Sequence, residues 1–265
     1  METVAEHPAP PDAAPPKASG AASRVLSLVG ELMIIVGGVL ALYVVWQLFY
    51  TDLAANAVQE QTVQSLPWAY TPPITAPTDN GPSPQTIPDE LKLSPDTAPD
   101  VKEPAFGTTF ATFYVPRWGP KYIKPISEGT DRHKILDRLG IGHYVHTAMP
   151  GELGNFAISA HRTTYAKPFS NIDKLRKGDY LIVQTKTAWY VYRVTSHEIV
   201  LPTAVKVIAP VPNRLGAAPD NHYITLTSCH PKFSAAERYV VHGELEYWSP
   251  VGNGVPAELF SVPAP

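Results

Sequence analysis

A single cysteine stands at the end of a predicted strand in the stretch YITLTSCHPKFSAAERYVVHGEL, which runs from Tyr223 to Leu245. Cys229 is the only cysteine in the sequence, so its thiol has no partner for an intramolecular disulfide. A thiol acts as a nucleophile only as its thiolate, and at neutral pH it needs a base to reach that form. Cys229 is therefore either a small buried side chain or a nucleophile.

Two other residues at strand ends could complete a nucleophilic site. His161 follows an apolar run in AISAHRTTY, and an imidazole can accept the thiol proton and later give it to a leaving group. Arg238 begins the next predicted strand after Cys229. A guanidinium keeps its proton, so it is a poor base but a good fixed cation for an oxyanion or a substrate carbonyl. If their strands are neighbours, these three residues are sufficient for acyl transfer through a thioester.

The residues around Cys229 favour the nucleophile. Thr227 and Ser228 precede it and His230 follows it, and such polar flanks are typical of a rim rather than a core. His230 is adjacent to the thiol, but neighbours on a strand point to opposite faces. His161 is therefore the better candidate for the base.

His143, His146 and Glu152 offer an alternative, the site of a metal hydrolase. His-x-x-His in a predicted loop is a weak zinc pattern, because no helix holds both rings on one face. A zinc site built from cysteines needs at least two thiolates, and this chain has one. The net charge of −3 gives no global attraction to nucleic acid. We expect neither a metal nor a cofactor, and no nucleic-acid partner.

Residues 25–50 predict a single transmembrane anchor. From Leu32 to Phe49 the only strongly polar residue is Gln47, and a helix over this run is about 27 Å long, close to the thickness of a bilayer's hydrocarbon core. A buried core helix and a cleaved signal peptide are the alternatives, but the run is long and lacks a convincing small-residue cleavage site. Lys17 and Arg24 precede the span and the next basic residue is Lys92. This bias predicts a single-pass protein of the cell membrane with a cytoplasmic N-terminus and an extracellular catalytic domain.

The rest of the chain divides by composition. Residues 1–24 are rich in Pro and Ala and predict a disordered cytoplasmic tail. Residues 51–104 are dense in Pro, Thr, Ser and Asp and predict an extended stalk. Residues 105–250 alternate short β-rich runs with Gly, Pro and Asp, which indicates one all-β, barrel-like domain. Residues 251–265 are assigned to a C-terminal tail.

The predicted barrel domain contains six candidate strands and two candidate helices. The strand candidates are β-branched or aromatic runs of ordinary strand length, at 110–116, 155–161, 179–186, 188–200, 222–229 and 238–245. The helix candidates are DRHKILDRLGIGH, at 131–143, and SNIDKLRKGD, at 170–179.

The motifs around the three candidate residues resemble those of the sortases, the cysteine transpeptidases of Gram-positive surfaces. TLTSC at 225–229 with Arg238 resembles the family's TLTTC…R signature. The segment 142–179 is similar to the block around its catalytic histidine, and FYVPRWG and PISEG resemble its opening strands. The resemblance covers about residues 108–246. It is strongest to class E, the actinobacterial housekeeping group, through HRTTY and the anchor with its Pro-rich stalk.

This resemblance implies an eight-stranded sortase-type β-barrel with one or two short helices. Cys229 would be the nucleophile, His161 the proton shuttle and Arg238 the stabiliser of the oxyanion or substrate. The substrates implied are surface proteins with an LPxTG sorting signal (LAxTG in class E), cleaved after Thr, and the acceptor is an amine of a peptidoglycan precursor. The substrate groove is expected to involve the side chains of Thr227, Ser228 and Tyr165.

The sequence departs from the class E pattern at three positions. Ser228 replaces a more common Thr, and Ala160 and Ala166 stand where Gly is more frequent. Ser228 keeps a hydroxyl, and none of the three changes removes a catalytic group. They bear on substrate preference and on the local backbone.

Two further functions remain as alternatives. A cell-wall L,D-transpeptidase also uses Cys, His and Arg, but its cysteine lies in a Ser/His-Gly-x-x-Gly-Cys-x-Arg setting that is absent here. An inactive barrel that serves as a surface binding module is the other, and the intact set of Cys229, His161 and Arg238 argues against it. Labelling of Cys229 by a thiol reagent no faster than an ordinary exposed cysteine would favour that module.

Overall fold

The computed structural model describes residues 20–71 and 84–261, which fall into two compact units that divide after Trp46. The first unit contains helix α1, Ala21–Val45. Its stretch Ser23–Val45 has a mean hydropathy of 2.4 and none of it is buried within the protein. A helix of this length and composition can cross a membrane, as a single-pass anchor requires. Residues 1–19 of the predicted tail lie outside the described residues, and α1 begins at Ala21.

The second unit is built on a closed β-barrel, and this confirms the predicted fold class. Around the barrel the strands follow the order β1-β2-β3-β4-β7-β8-β6-β5. Closure pairs every strand on both sides, so the barrel has no exposed edge. In the described residues the strands are β1 (Thr109–Tyr114), β2 (Ile123–Glu128), β3 (Ile141–His143), β4 (Gly154–Ser159), β5 (Tyr180–Thr185), β6 (Ala188–Val200), β7 (His222–His230) and β8 (Glu237–Pro250).

Alternation of side chains along the strands builds the core inside the barrel. Phe113, Phe156, Tyr190 and Tyr192 are almost fully buried there and pack with the aliphatic residues of the other strands. A second, smaller cluster around Trp189 packs on the outer face, under segments that precede and follow the barrel. The long segments outside the barrel therefore cover apolar surface.

Two strand pairs are parallel, and one of them sets up the functional site. β4 pairs with β7 in parallel, with Ser159 opposite Thr227 near the carboxyl ends. β7 in turn pairs with the antiparallel β8, whose first residues lie opposite the last residues of β7. The ends of β4 and β7 and the start of β8 therefore lie at the same rim of the barrel.

The predicted stalk is folded in the structure over most of its described part. Thr51–Gln64 forms a helix, α2, whose buried residues recur every three or four positions on one face. Ile87 is buried in the outer cluster, and Leu93 forms a bridge with Trp248 of β8. The middle of the segment, 72–83, lies outside the described residues. The buried face of α2 carries polar side chains, so its sequence lacks the apolar periodicity that reveals most surface helices.

The structure also differs from the sequence prediction at the end of the chain and in the two helix candidates. The chain after β8 packs on the unit through Leu259, which is buried, as far as the last described residue, Ser261. In 131–143 a short π-helical turn, Arg132–Leu136, precedes β3. In 170–179 a single 3-10 turn, Ile172–Lys174, forms.

Candidate active site

The three predicted catalytic residues meet at the rim where β4 and β7 end. Cys229 lies directly opposite Arg238 in the β7–β8 ladder. His161 follows Ser159 by two positions, as Cys229 follows Thr227, so the β4–β7 register carries His161 to the level of the thiol. The hydrogen bond from Ala160 N to Thr227 O, 3.3 Å, extends the pairing beyond the last ladder residue.

All three residues line one cleft of about 580 Å³. Its walls come from the β4, β7 and β8 rim, the π-helical turn and the connection between β7 and β8, and the lining includes Thr130, Arg132, Leu136, Tyr144, Thr163, Thr164, Phe233, Ser234 and Ala235. A cleft of this size takes a short peptide segment. Cys229 is partly exposed in it, as a nucleophile must be.

His161 is held by an aspartate that the sequence did not reveal. Its Nε2 lies 2.6 Å from Oδ1 of Asp137, a buried carboxylate that follows the π-helical turn. A carboxylate accepts hydrogen bonds, so the neutral imidazole carries its proton on Nε2 and keeps Nδ1 as the acceptor. Burial lowers the pKa of His161, and the hydrogen bond and charge of Asp137 oppose that shift. At neutral pH the imidazole is thus unprotonated and fixed in one tautomer.

Arg238 is anchored beside Cys229 by the backbone. Its Nη1 donates to the carbonyl oxygens of Ala235, at 3.0 Å, and Glu237, at 2.9 Å. These bonds hold the guanidinium at the edge of the cleft, which it also lines. A cation in this position can stabilise negative charge that develops near the thiol.

The three predicted substrate-groove residues have different surroundings. Ser228 lines the cleft, and its hydroxyl donates to Ala160 O at 2.8 Å. Thr227 is buried, with its Oγ1 3.0 Å from the hydroxyl of Tyr144, which does line the cleft. Tyr165 is outside the lining set, and its ring lies tilted against His161, with 5.3 Å between the ring centroids. Thr227 and Tyr165 thus contact residues of the cleft rather than forming its wall.

His230 does not join the site, as the alternation along the strand predicts. Its Nδ1 accepts a hydrogen bond of 2.8 Å from Nη1 of Arg162. The same Nη1 donates to the carbonyl oxygen of Cys229 at 3.2 Å, and Nη2 lies 3.3 Å from Asp173. The buried Arg162, which also lines the cleft, therefore ties the backbone at Cys229 to His230 and Asp173.

The residues of the alternative metal site are separated. His143 is fully buried, with Nδ1 2.8 Å from Glu128 and Nε2 in contact with Thr147 and Ala148. His146 is largely exposed and pairs with Glu103, while Glu152 accepts from the backbone of Met149. Within residues 20–71 and 84–261, no group of three potential ligands is placed to hold a metal.

Comparison with known families agrees with the fold and covers the part of the chain that holds the candidate site. The Sortase domain family matches residues 113–246, a span that includes His161, Cys229 and Arg238. The match covers about half of the sequence and most of the barrel. The chain belongs to the sortase family.

Individual sortases show how far the similarity extends. Sortase SrtE1 of Streptomyces coelicolor is 34% identical over 91% of this chain, and the alignment spans 63% of that protein's length. The structure of SrtA sortase from Actinomyces oris is 41% identical, covers 66% of this chain and 99% of its own, and superposes with a TM-score of 0.60. Sortase E1 from Streptomyces coelicolor with a tripeptide in the active site is 36% identical, covers 58% of this chain and 97% of its own, and has a TM-score of 0.54. These relatives support the actinobacterial, class E character of the sequence.

Proposed function

We propose that this sortase is a membrane-anchored cysteine transpeptidase that cleaves an LAxTG- or LPxTG-type sorting signal after Thr. The acyl group passes through a thioester on Cys229 to an amine of a cell-wall precursor. The observation that carries the proposal is the rim itself, where Cys229, His161 and Arg238 line one cleft. The tripeptide in the active site of the Streptomyces coelicolor relative supports a peptide substrate.

The first half-reaction begins with the proton of the thiol. Nδ1 of His161, the acceptor nitrogen, takes this proton while Nε2–H stays bonded to Asp137. The sulfur attacks the threonyl carbonyl carbon, and Arg238 stabilises the oxyanion that forms. When the Thr–Gly bond breaks, the imidazolium gives its proton to the departing glycine amine, and the thioester remains on Cys229.

The second half-reaction reverses these proton movements. The acceptor amine attacks the thioester carbonyl, His161 takes a proton from the amine nitrogen, and the C–S bond breaks. The thiolate then regains a proton and the new amide leaves. Water in place of the amine gives hydrolysis, so the same site also acts as a cysteine-type peptidase.

The location proposed for this reaction follows from the N-terminal helix. α1 is long and apolar enough for one membrane span. Arg24 and Lys17 lie on its N-terminal side, so the bias of basic residues favours a cytoplasmic N-terminus and an extracellular catalytic unit. Both proposed partners, the surface protein and the peptidoglycan precursor, are then on the same side of the membrane as the cleft.

A peptide assay tests the proposed function. Full-length protein in detergent is incubated with a fluorescence-quenched peptide containing LAxTG, with and without hydroxylamine as a small amine-like acceptor. We expect cleavage between Thr and Gly, and a threonine hydroxamate when hydroxylamine is present. Absence of cleavage for both LAxTG and LPxTG peptides, or cleavage at another bond, would contradict the proposal.

Asp137 gives a prediction about the pH dependence of this reaction. Turnover requires unprotonated His161, so kcat/KM falls as pH drops through a pKa that lies below the ordinary value of about 6.5. Asp137 raises the pKa of His161, and Asp137→Asn is therefore expected to move this acid limb to still lower pH. The loss of a charged partner is also expected to lower kcat at the pH optimum, by about 10- to 100-fold.

The measurement is the pH profile of kcat/KM from pH 4.5 to 9 for both proteins. His133→Ala is the matched control, because His133 also contacts Asp137 but is exposed. An acid limb that stays in place in Asp137→Asn would show that Asp137 does not act on the imidazole.

A further inference from the structure

Helix α2 contacts two segments that lie close to His161 in the fold. It follows the apolar helix α1 in the chain, yet it belongs to the same compact unit as the barrel. Its buried polar residues Asp52 and Gln59 face the connection after β4. Large apolar side chains would be expected on a face that serves only to cover a core. The polar residues indicate specific contacts.

The segment that α2 holds has an unusual backbone. Tyr165, Ala166 and Lys167 are consecutive residues with positive φ angles of 54°, 65° and 39°. Residues other than glycine rarely adopt this left-handed backbone conformation. Three such residues in a row persist only where neighbouring groups fix them. A glycine at position 166 would adopt this conformation without strain, whereas Ala166 does not.

Three contacts from α2 fix this backbone. Oδ1 of Asp52 accepts from Ala166 N at 3.1 Å, and Oδ2 pairs with Nζ of Lys167 at 2.8 Å. Nε2 of Gln59 donates to Tyr165 O at 3.3 Å. Each of the three left-handed residues thus has one bond to the helix.

Gln59 also reaches the second segment beside the histidine. A side-chain carbon on Gly140 would lie 2.9 Å from Cδ of Gln59, so the absence of a side chain there admits the glutamine. Gly140 follows the turn that carries Asp137, the hydrogen-bond partner of His161. The helix therefore lies against the connections that provide both neighbours of the imidazole.

The ring of Tyr165 connects this left-handed segment to His161. It lies against the imidazole of His161, with 5.3 Å between centroids and an interplanar angle of 32°. This ring contributes to the burial that lowers the pKa of His161. A loop that relaxed away from α2 would withdraw the ring and hydrate the histidine.

From this geometry we infer that Asp52 and Gln59 of α2 are positioning residues for His161, acting through the left-handed Tyr165–Lys167 segment and the Tyr165 ring. The inference rests on the proposed function for its consequence on turnover. The helix that directly follows the anchor in sequence is thereby part of the catalytic unit rather than a spacer. A soluble fragment that begins after α2 would lack this support.

The test compares full-length wild type with the double variant Asp52→Ala/Gln59→Ala. We expect kcat for the LAxTG peptide to fall about 10- to 100-fold, because small displacements of catalytic groups carry costs of this size. We also expect the acid limb of kcat/KM to move to higher pH as His161 becomes hydrated. This shift is opposite in sign to that expected for Asp137→Asn.

Four further variants separate positioning from general stability. Asn56→Ala is the matched control, since Asn56 accepts a hydrogen bond from Lys124 of β2 and makes no hydrogen bond to the loop in the described structure. It is expected to keep the wild-type kcat and pH profile even if the melting temperature falls.

Tyr165→Ala should move the acid limb to higher pH by as much as the double variant does. Tyr165→Phe keeps the ring, so it should retain most of the kcat that Tyr165→Ala loses. Adding Tyr165→Ala to the double variant should move the acid limb no further.

A readout without substrate separates this inference from the proposed function. The pKa of His161 is measured by NMR titration of the imidazole in each variant. A raised pKa in the double variant and in Tyr165→Ala supports the inference even if no LAxTG peptide is cleaved. An unchanged His161 pKa in the double variant, or an equal change in Asn56→Ala, would overturn it.

Discussion

Replacement of Cys229 by alanine is expected to abolish cleavage of the LAxTG peptide, with a loss on the order of 10⁴-fold or more. The reason is that the proposed reaction has no other nucleophile: Cys229 is the only cysteine of the chain and lies in the cleft beside His161 and Arg238. The measurement is the rate of fluorescence release at saturating peptide. Cys229→Ser keeps the shape of the side chain and is expected to be similarly inactive, because an alcohol is far less ionised than a thiol.

Cys229 is partly exposed and at a rim, so neither variant removes a core side chain. The melting temperature is therefore expected to stay close to that of the wild type, which separates loss of chemistry from loss of fold. Turnover in Cys229→Ala above one per cent of the wild-type rate would contradict the role of the thiol.

Replacement of His161 by alanine is expected to lower kcat by about 10²- to 10⁴-fold, the usual contribution of a general acid–base group. Loss of the imidazole removes both the acceptor for the thiol proton and the donor for the leaving amine. His146→Ala is the matched control, because His146 is largely exposed and pairs with Glu103 away from the cleft. The measurement is kcat and KM for the same peptide, and we expect the loss in kcat rather than in KM.

The pH profile of His161→Ala gives a second test of the role of His161. The acid limb of the pH profile reports the histidine if His161 is the base, so His161→Ala should lose this limb as well as the rate. An acid limb that persists unchanged in His161→Ala would assign it to another group. A kcat within threefold of the wild type would contradict the proposed role directly.

The meeting of Cys229, His161 and Arg238 at one rim could be predicted from sequence because the three residues stand at strand ends. The β-branched run before Cys229 and the apolar run before His161 mark β7 and β4, and the period of two along a strand places the reactive side chains. The run 188–200 was predicted with the bounds that β6 has in the structure. Sortase motifs around the same residues led to the family that the comparison shows.

Two strands of the barrel, β2 and β3, had no clear strand pattern in the sequence. β2 contains Pro125, and proline argues against an inner strand because it cannot donate to a neighbour. In the structure Pro125 pairs with Thr112 of β1, while the pairing of β2 with β3 begins only at Ile126. β3 is three residues long and contains a glycine, too short for a recognisable pattern. The predicted helix over 131–143 extended across it.

The supporting groups of the site could not be predicted because they depend on contacts between distant segments. Asp137 lies in a turn whose apolar spacing is typical of a helix, and nothing near it in sequence points to His161. α2 buries the polar Asp52 and Gln59 beside only two apolar residues, Ala55 and Val63, so the composition indicated a solvated stalk. Both features satisfy polar groups at one particular place in the fold, and a pattern of hydrophobicity does not record such pairs.

The most direct test of the account is intact-mass spectrometry of the protein during turnover. Full-length protein is mixed with an excess of LAxTG peptide without an amine acceptor and quenched in acid. The mass of the intact chain is measured first, and the masses of its peptides are measured after digestion. The account predicts a mass increase equal to the peptide acyl group up to Thr, carried by Cys229, labile to hydroxylamine and absent from Cys229→Ala. Peptide cleavage without any adduct on Cys229, or an adduct on another residue, would contradict it.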